Sequence, residues 1–242
     1  MAVQLHSFAT DADLAQQAAR AWLNSLTALA GTGRAPTVAL AGGRITGTFY
    51  DAVVKLATPA EVALVRGVEF FWGDERCVPP DSADSNFKLA KDRLFDPLAV
   101  PAARQHRVRG ELDPGVAAER VTAELRQLAP FSGAGRPFLD LVLLGMGEDG
   151  HVASLFPCAP SEVLESQAVY LPVIGPKPPP QRVSLSYATL REAAAVWVLV
   201  AGAGKAEPLR DALAGASSHG LGRMLAQRSQ TTIFESVGLG SR

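Results

Sequence analysis

The chain reads as an α/β protein of one domain, residues 1–242, whose mostly parallel, Rossmann-like sheet carries helices on both faces. Three observations predict this. Largely apolar runs of strand length recur at Thr37 to Ala41, Val68 to Trp72, Phe138 to Leu144 and Val196 to Ala201, as expected of strands covered on both sides. Segments of helical periodicity separate them, and such alternation implies parallel pairing. The runs also end on glycines or charged residues, at the edge where open α/β sheets place their ligands. No low-complexity block or run of like charge divides the 242 residues.

Taken in order, Val3 to Phe8 suits a first strand. Thr10, with Asp13 three positions later, opens an amphipathic helix. Leu14, Ala18, Trp22, Leu26 and Leu29 share its inner face, and Gly31 or Gly33 ends it. The strand Thr37 to Ala41 runs into Gly42-Gly43-Arg44-Ile45-Thr46-Gly47, before a helix over Thr48 to Leu56. A strand, a glycine pair and a helix start present free backbone N–H groups, which suits a phosphate. A tight turn with an incidental arginine has the same spacing.

Val68 to Trp72 delivers Gly73-Asp74-Glu75-Arg76 to the same edge. A polar loop follows, then a helix from about Asn86 to Phe95. Gln105 to Arg109 suits a short strand, and Asp113 to Leu128 a helix with Val116, Ala117, Val121 and Leu125 facing inward. Gly175-Pro-Lys-Pro-Pro-Pro-Gln181 is too proline-rich for regular structure. Arg182 to Tyr187 alternates like a strand with one exposed face. Val196 to Ala201 is the last clear buried strand, and it ends in Gly202-Ala-Gly204-Lys205. A Walker lysine needs Ser or Thr next and a glycine five residues earlier, whereas Ala206 and Leu199 stand there.

The richest stretch runs from Phe138 to Pro157. Its apolar half breaks into Gly145, Gly147 and Gly150, interleaved with Glu148, Asp149 and His151, three proton-handling groups within four positions. Gly145-x-Gly147-x-x-Gly150 also spells the dinucleotide fingerprint. Glu148 and Asp149 would repel a pyrophosphate, however, and Pro157 and Pro160 leave little room for the long helix that loop requires.

A formal net charge of −1 gives no global attraction to nucleic acid or anionic membranes. No uninterrupted apolar run approaches the ~20 residues of a bilayer span, and Met1 to Thr10 lacks the basic and apolar regions of an export signal. A cytoplasmic monomer without nucleic-acid or membrane partners is the expectation. Cys77 and Cys158 lack metal-site spacing and read as structural or incidental thiols. Strand ends at Gly42-Gly43, Asp74 to Arg76, Gly145 to His151, Arg182 and Lys205 can meet at one crevice. Cations and free N–H groups in one part of it, and acid–base groups in another, suit a small phosphorylated substrate.

Phe71-Trp-Gly-Asp-Glu-Arg-Cys-Val-Pro79 with Ser85-Asn86, Gly145-Met-Gly-Glu-Asp-Gly-His-Val-Ala-Ser-Leu-Phe-Pro157, Arg182 entering a strand and Gly202-x-x-Lys205 together resemble the 6-phosphogluconolactonase family, in this order and at similar spacing. The resemblance covers about Val38 to Leu213. It implies the fold shared with aminosugar-phosphate isomerases, and hydrolysis of 6-phospho-D-glucono-1,5-lactone in the oxidative pentose phosphate pathway, with no metal or cofactor. It also implies that His151 activates water, with Asp149 or Glu148 orienting the imidazole. It points to the glycine loop of Gly42 and Gly43, Arg76, Arg182 and Lys205 for the phosphate, with Asp74 as a further substrate-binding group.

One departure stands out. The family usually has Ser-Gly-Gly-Ser-Thr-Pro where this chain has Ala41-Gly42-Gly43-Arg44-Ile45-Thr46, so Arg44 is expected to compensate for two lost hydroxyls. Val152 replaces the usual Thr. The aminosugar-phosphate isomerases and deaminases share the Gly-x-Gly-x-Asp-Gly-His frame but typically continue Ile-Ala-Phe-Asn-Glu-Pro, unlike Val152 to Pro157. A sugar-phosphate sensor is a further alternative, one that would have no need of His151. His6, His106 and His219 read as structural.

Overall fold

A computed structural model describes residues 2–216 and 220–239. From the N-terminus run β1 (Ala2–Ser7), α1 (Asp11–Ala30), β2 (Thr37–Leu40), α2 (Arg44–Leu56), α3 (Pro59–Arg66) and β3 (Glu69–Trp72). The middle of the chain supplies β4 (Asp74–Arg76), α4 (Asn86–Ala90), α5 (Asp96–Leu98), α6 (Pro114–Leu128) and β5 (Leu141–Gly145). A π-helical turn, Lys91–Phe95, joins α4 to α5. The rest comprises α7 (Ser161–Leu164), β6 (Tyr170–Ile174), β7 (Gln181–Leu185), α8 (Tyr187–Glu192), β8 (Ala195–Val200), α9 (Ala206–Leu213), α10 (Gly220–Ala226) and β9 (Gln230–Glu235).

The main sheet has the order β1-β9-β8-β5-β2-β3, and every pairing in it is parallel. Alternate residues of its strands enter two separate cores. Val38, Leu40, Phe70, Trp72, Leu141 and Leu143 pack with α1 and α2, while Ala39, Phe71, Val142 and Leu144 pack with α6 and α9. That is why these strands read as continuous apolar runs. Thr10 caps α1 by accepting the Asp13 N–H at 3.0 Å, and the helix buries Leu14, Ala18, Trp22 and Leu26 completely or nearly so. Truncating a buried side chain such as Trp22 to alanine costs about 3–5 kcal/mol. Among the described residues no helix is long and apolar enough to cross a membrane.

A second sheet, β4-β7-β6, is antiparallel. It corrects the expected exposed face after Arg182: Arg182 to Leu185 are all buried, because β7 lies between two strands and over the core packed with α6 and α9. Other boundaries shift. The central strand starts at Leu141 rather than Phe138, and α2 starts at Arg44 rather than Thr48. Gln105 makes one bridge, to Phe70, and no strand forms over Gln105 to Arg109. Val116, in the first turn of α6, is exposed; the buried stripe is Ala117, Ala118, Val121 and Leu125. A ninth strand, β9, has the polar-looking sequence Gln-Thr-Thr-Ile-Phe-Glu, which does not predict a buried strand, yet it sits between β1 and β8.

Candidate active site

The sheet topology opens the site. β2 and β5 are neighbours, but the chain proceeds from β2 to β3 on one side, whereas β8 and β9 lie beyond β5 on the other. At such a switch point the connections diverge and leave a crevice at the carboxyl ends. Ala41-Gly42-Gly43 forms one wall, and Gly145 to His151 the wall beside it. A Cβ on Gly42 would lie 1.8 Å from Asn86 Oδ1, so only glycine allows this loop to pack under the Asn86 amide. The first helical bond of α2 runs from Gly47 N to Gly43 O. The amides of Arg44, Ile45 and Thr46 therefore lack a helical acceptor at the crevice.

The small sheet supplies the third wall. Gly73 links the two sheets: its N–H donates to Leu40 O at 2.8 Å, and its carbonyl accepts from Leu185 N at 2.9 Å. Beyond it, β4 opposes β7 in the register Asp74 to Ser184, Glu75 to Val183 and Arg76 to Arg182. Opposed residues of an antiparallel pair share a face, so Asp74, Arg76, Arg182 and Ser184 are grouped on one face and Glu75 on the other. Two arginines directly opposite repel each other. Burial, then the Arg76 charge, lowers the Arg182 pKa from its ordinary value. Both Nε atoms are buried without a hydrogen-bond partner.

Glu75, on the far face and 2 % exposed, fastens the polar loop to the sheet. Its carboxylate accepts the N–H groups of Arg76, Asn86 and Phe87 at 2.7–2.8 Å and the Ser85 hydroxyl at 3.1 Å. Burial nevertheless pushes its pKa up to about 7, against the pull of those backbone donors.

On the opposite wall, Gly147 N bonds to His151 O at 2.9 Å and closes the glycine loop. A Cβ on Gly147 would meet the His151 ring at 2.2 Å. Asp149 Oδ1 lies 2.5 Å from His151 Nδ1 and also accepts the His151 backbone N–H at 3.2 Å. Burial works to raise the Asp149 carboxyl, and His151 outweighs it, holding the group below the usual carboxylate range. With Nδ1–H directed at Asp149, Nε2 offers its lone pair to the crevice. The Phe156 ring packs 4.5 Å from the His151 ring and 5.6 Å from the Arg182 guanidinium carbon.

Gly202 to Lys205 complete the cavity, which has a volume of about 320 Å³. Gly42, Gly43, Arg44, Asp74, Arg76, Glu148, His151, Arg182 and Lys205 all line it, while Asp149 stands behind His151. Of the two acids expected to orient His151, Asp149 does so; Glu148 faces Gly204 and the Lys205 charge instead. Burial lowers the Lys205 pKa, and Glu148 opposes that shift. Arg44 is bonded to Asp11 at 2.8 Å, with 70 % of its side chain exposed. Arg182 enters from the start of an antiparallel strand, not from a parallel strand end. Asn86, Ser154 and Phe156 were missed as site residues, although all three lie in the motifs that carried the family resemblance.

Among the described residues no group of three or more His, Cys, Asp or Glu is arranged to hold a metal ion. His106 lies apart from the site between Glu69 and Glu124, and His6 stacks on Phe234. His219 lies outside the described residues.

Fold and crevice together define an α/β protein with a cluster of cationic side chains facing a carboxylate–imidazole pair. The family described as Glucosamine-6-phosphate isomerases/6-phosphogluconolactonase matches residues 9–234, and the chain belongs to it. A Mycobacterium tuberculosis protein named 6-phosphogluconolactonase is 38% identical over 176 residues, 69% of each chain. An Oryza sativa protein named "Probable 6-phosphogluconolactonase 3, chloroplastic" is 38% identical over 192 residues, 75% of this chain. The match spans only 57% of that rice protein's length. The structure of 6-phosphogluconolactonase from Trypanosoma brucei superposes with a TM-score of 0.85 at 27% identity, covering 100% of this chain and 99% of that one.

Proposed function

We propose that this chain hydrolyses 6-phospho-D-glucono-1,5-lactone to 6-phosphogluconate in the oxidative pentose phosphate pathway. The names of its relatives support the reaction. The observation that carries the reading is the facing of two unlike pairs across one cavity, Arg76 with Arg182 and Asp149 with His151.

A phosphate dianion between the two guanidinium groups relieves their repulsion and takes charge-assisted N–H donors from them. Lys205 and the amides after Gly43 add to that field, and Arg44 approaches from the open side. The lactone carbonyl then lies toward His151. Nε2 removes a proton from water as its oxygen attacks C1, and the carbonyl electron pair moves onto oxygen. Collapse re-forms the carbonyl and breaks the bond from C1 to the ring oxygen, which takes the proton back from the imidazolium. Asp149 stabilises that imidazolium while it exists.

The test is the disappearance of freshly generated lactone with and without the protein, because the lactone also opens unaided. Acceleration that vanishes in His151→Ala is the expected result. Wild-type protein that does not accelerate the loss would rule the lactonase reading out. Binding of 6-phosphogluconate without turnover would then indicate a sensor, and ammonia release from glucosamine 6-phosphate a deaminase.

A further inference from the structure

Asp74 and Arg182 are opposite charges, both more than nine-tenths buried, in the same cavity. Yet Arg182 Nη1 stops 4.0 Å from Asp74 Oδ2, outside hydrogen-bond reach. Two groups so placed ordinarily close to a charge-assisted hydrogen bond of about 2.7–2.9 Å. Arg182 makes no strong hydrogen bond elsewhere: Nε has no partner, Nη2 makes only a 3.4 Å contact with Lys177 O, and the guanidinium otherwise lies over the Phe156 ring.

What occupies Asp74 is Ser154, three residues after His151 and fully buried. Its hydroxyl donates to Asp74 Oδ2 at 2.6 Å, to the same oxygen that faces Arg182. The serine is itself fixed, since its N–H donates to Ser184 Oγ of β7 at 3.2 Å. Asn86 Nδ2 holds the Asp74 main-chain carbonyl at 2.8 Å and reaches Oδ1 at 3.4 Å. The aspartate is thus held on its strand while the oxygen nearest Arg182 is turned to the serine.

We propose that Ser154 is a positioning residue that keeps the Asp74 carboxylate off Arg182, leaving that guanidinium open to the phosphoryl group of the substrate. Without the hydroxyl, Asp74 turns onto Arg182 and competes with phosphate. With it, the histidine loop and the phosphate site are coupled through one hydrogen bond, although their residues lie far apart in the sequence. The inference rests on reading Arg182 as a phosphate ligand, so its test uses inorganic phosphate as well as lactone.

Calorimetric titration of the full chain with inorganic phosphate should show wild-type binding that weakens about tenfold in Ser154→Ala. The lactone KM should rise by a similar factor while kcat changes less than twofold. The double variant Ser154→Ala with Asp74→Asn, which cannot form the competing ion pair, should recover phosphate affinity to within about threefold of wild type. A merely structural serine would give a loss that the second substitution deepens. Unchanged phosphate affinity in Ser154→Ala, or a loss not reversed by Asp74→Asn, overturns the proposal. Should Ser154→Ala fail to fold, Asp74→Asn alone decides: phosphate binding at least as tight as wild type supports it, and weaker binding overturns it. Wild-type protein that turns over lactone without binding phosphate would remove this inference and leave the lactonase reading standing. Phosphate binding that follows Ser154 in a protein without turnover would do the reverse.

Discussion

Asp149 is the residue on which the proposed acid–base chemistry turns, because a free imidazole has no preferred tautomer and the 2.5 Å contact with Nδ1 favours one. Asp149→Asn keeps the shape but loses the charge that stabilises an imidazolium. We expect kcat to fall about 10²–10⁴-fold with KM nearly unchanged; steady-state kinetics on fresh lactone checks this, and an unaltered kcat would exclude the orienting role. Arg44 is the residue on which this chain departs from its family's usual loop. It rims the cavity, tied to Asp11, which in turn accepts the Ser236 hydroxyl at 2.6 Å. The Ser236 bond is the largest influence holding Asp11 below its ordinary pKa, with Arg44 adding to it. Arg44→Ala should raise KM about two- to fivefold, the range of an exposed ion pair, and leave kcat alone. A KM equal to wild type would mean that Arg44 serves Asp11 and not the substrate.

The elements behind these residues hold the site through a few buried polar anchors, of which Glu75 is the most connected. Its two oxygens satisfy three backbone N–H groups and a hydroxyl, and through them set Arg76, Ser85 and Asn86. Glutamine in its place has one acceptor oxygen and strands at least one buried N–H, costing about 1–3 kcal/mol. Glu75→Gln should therefore lower the denaturation midpoint and raise the lactone KM together, and a variant that lost stability with KM intact would uncouple the loop from the phosphate site. How much of this was legible follows from the range of each interaction. Helix starts at Thr10, Ser85 and Asp113 could be read because a cap reaches only two or three residues along the chain. Gly147 and His151 could be read for the same reason. The opposition of Arg76 to Arg182 could not, since it depends on a strand register between distant segments, and neither could the burial of Glu75. β9 escaped because Thr231 and Glu235, both buried, carry no apolar signal in the sequence.

For the whole molecule, the titratable groups divide into two sets whose effects on stability oppose each other. Glu111 beside Arg107 is held at about 2, and Asp140, buried but bonded to Arg34 and Thr37, also lies below its ordinary value. Such groups stabilise the fold above their unfolded pKa near 4, and that contribution is lost as pH falls through their folded values. His106 has the opposite sign. Burial works to lower its pKa, but Glu124 and then Glu69 outweigh it, because Nε2 lies 2.7 Å from Glu69 and Nδ1 3.4 Å from Glu124. Arg104 pairs with the same Glu69, and the ring stacks on Phe71 at 4.8 Å. Only the imidazolium has a donor for each carboxylate; the neutral ring turns a lone pair toward one of them. Its contribution is therefore complete below the unfolded value of about 6.5 and is lost as pH rises through the higher folded value. Glu75, raised to about 7, also weakens the fold as pH rises from about 4.5 to 7. Thermal stability should accordingly peak near pH ~5 and decline on both sides. His106→Gln should lower Tm at pH ~6 and flatten the decline above pH ~6.5, which melting curves across neutral pH would record. A decline as steep as in wild type would place its origin elsewhere. Because Glu69 and His106 join the amino end of β3 to α6, while the crevice opens at the carboxyl ends of the strands, the same variant should keep the kcat of the parent at neutral pH wherever it remains folded.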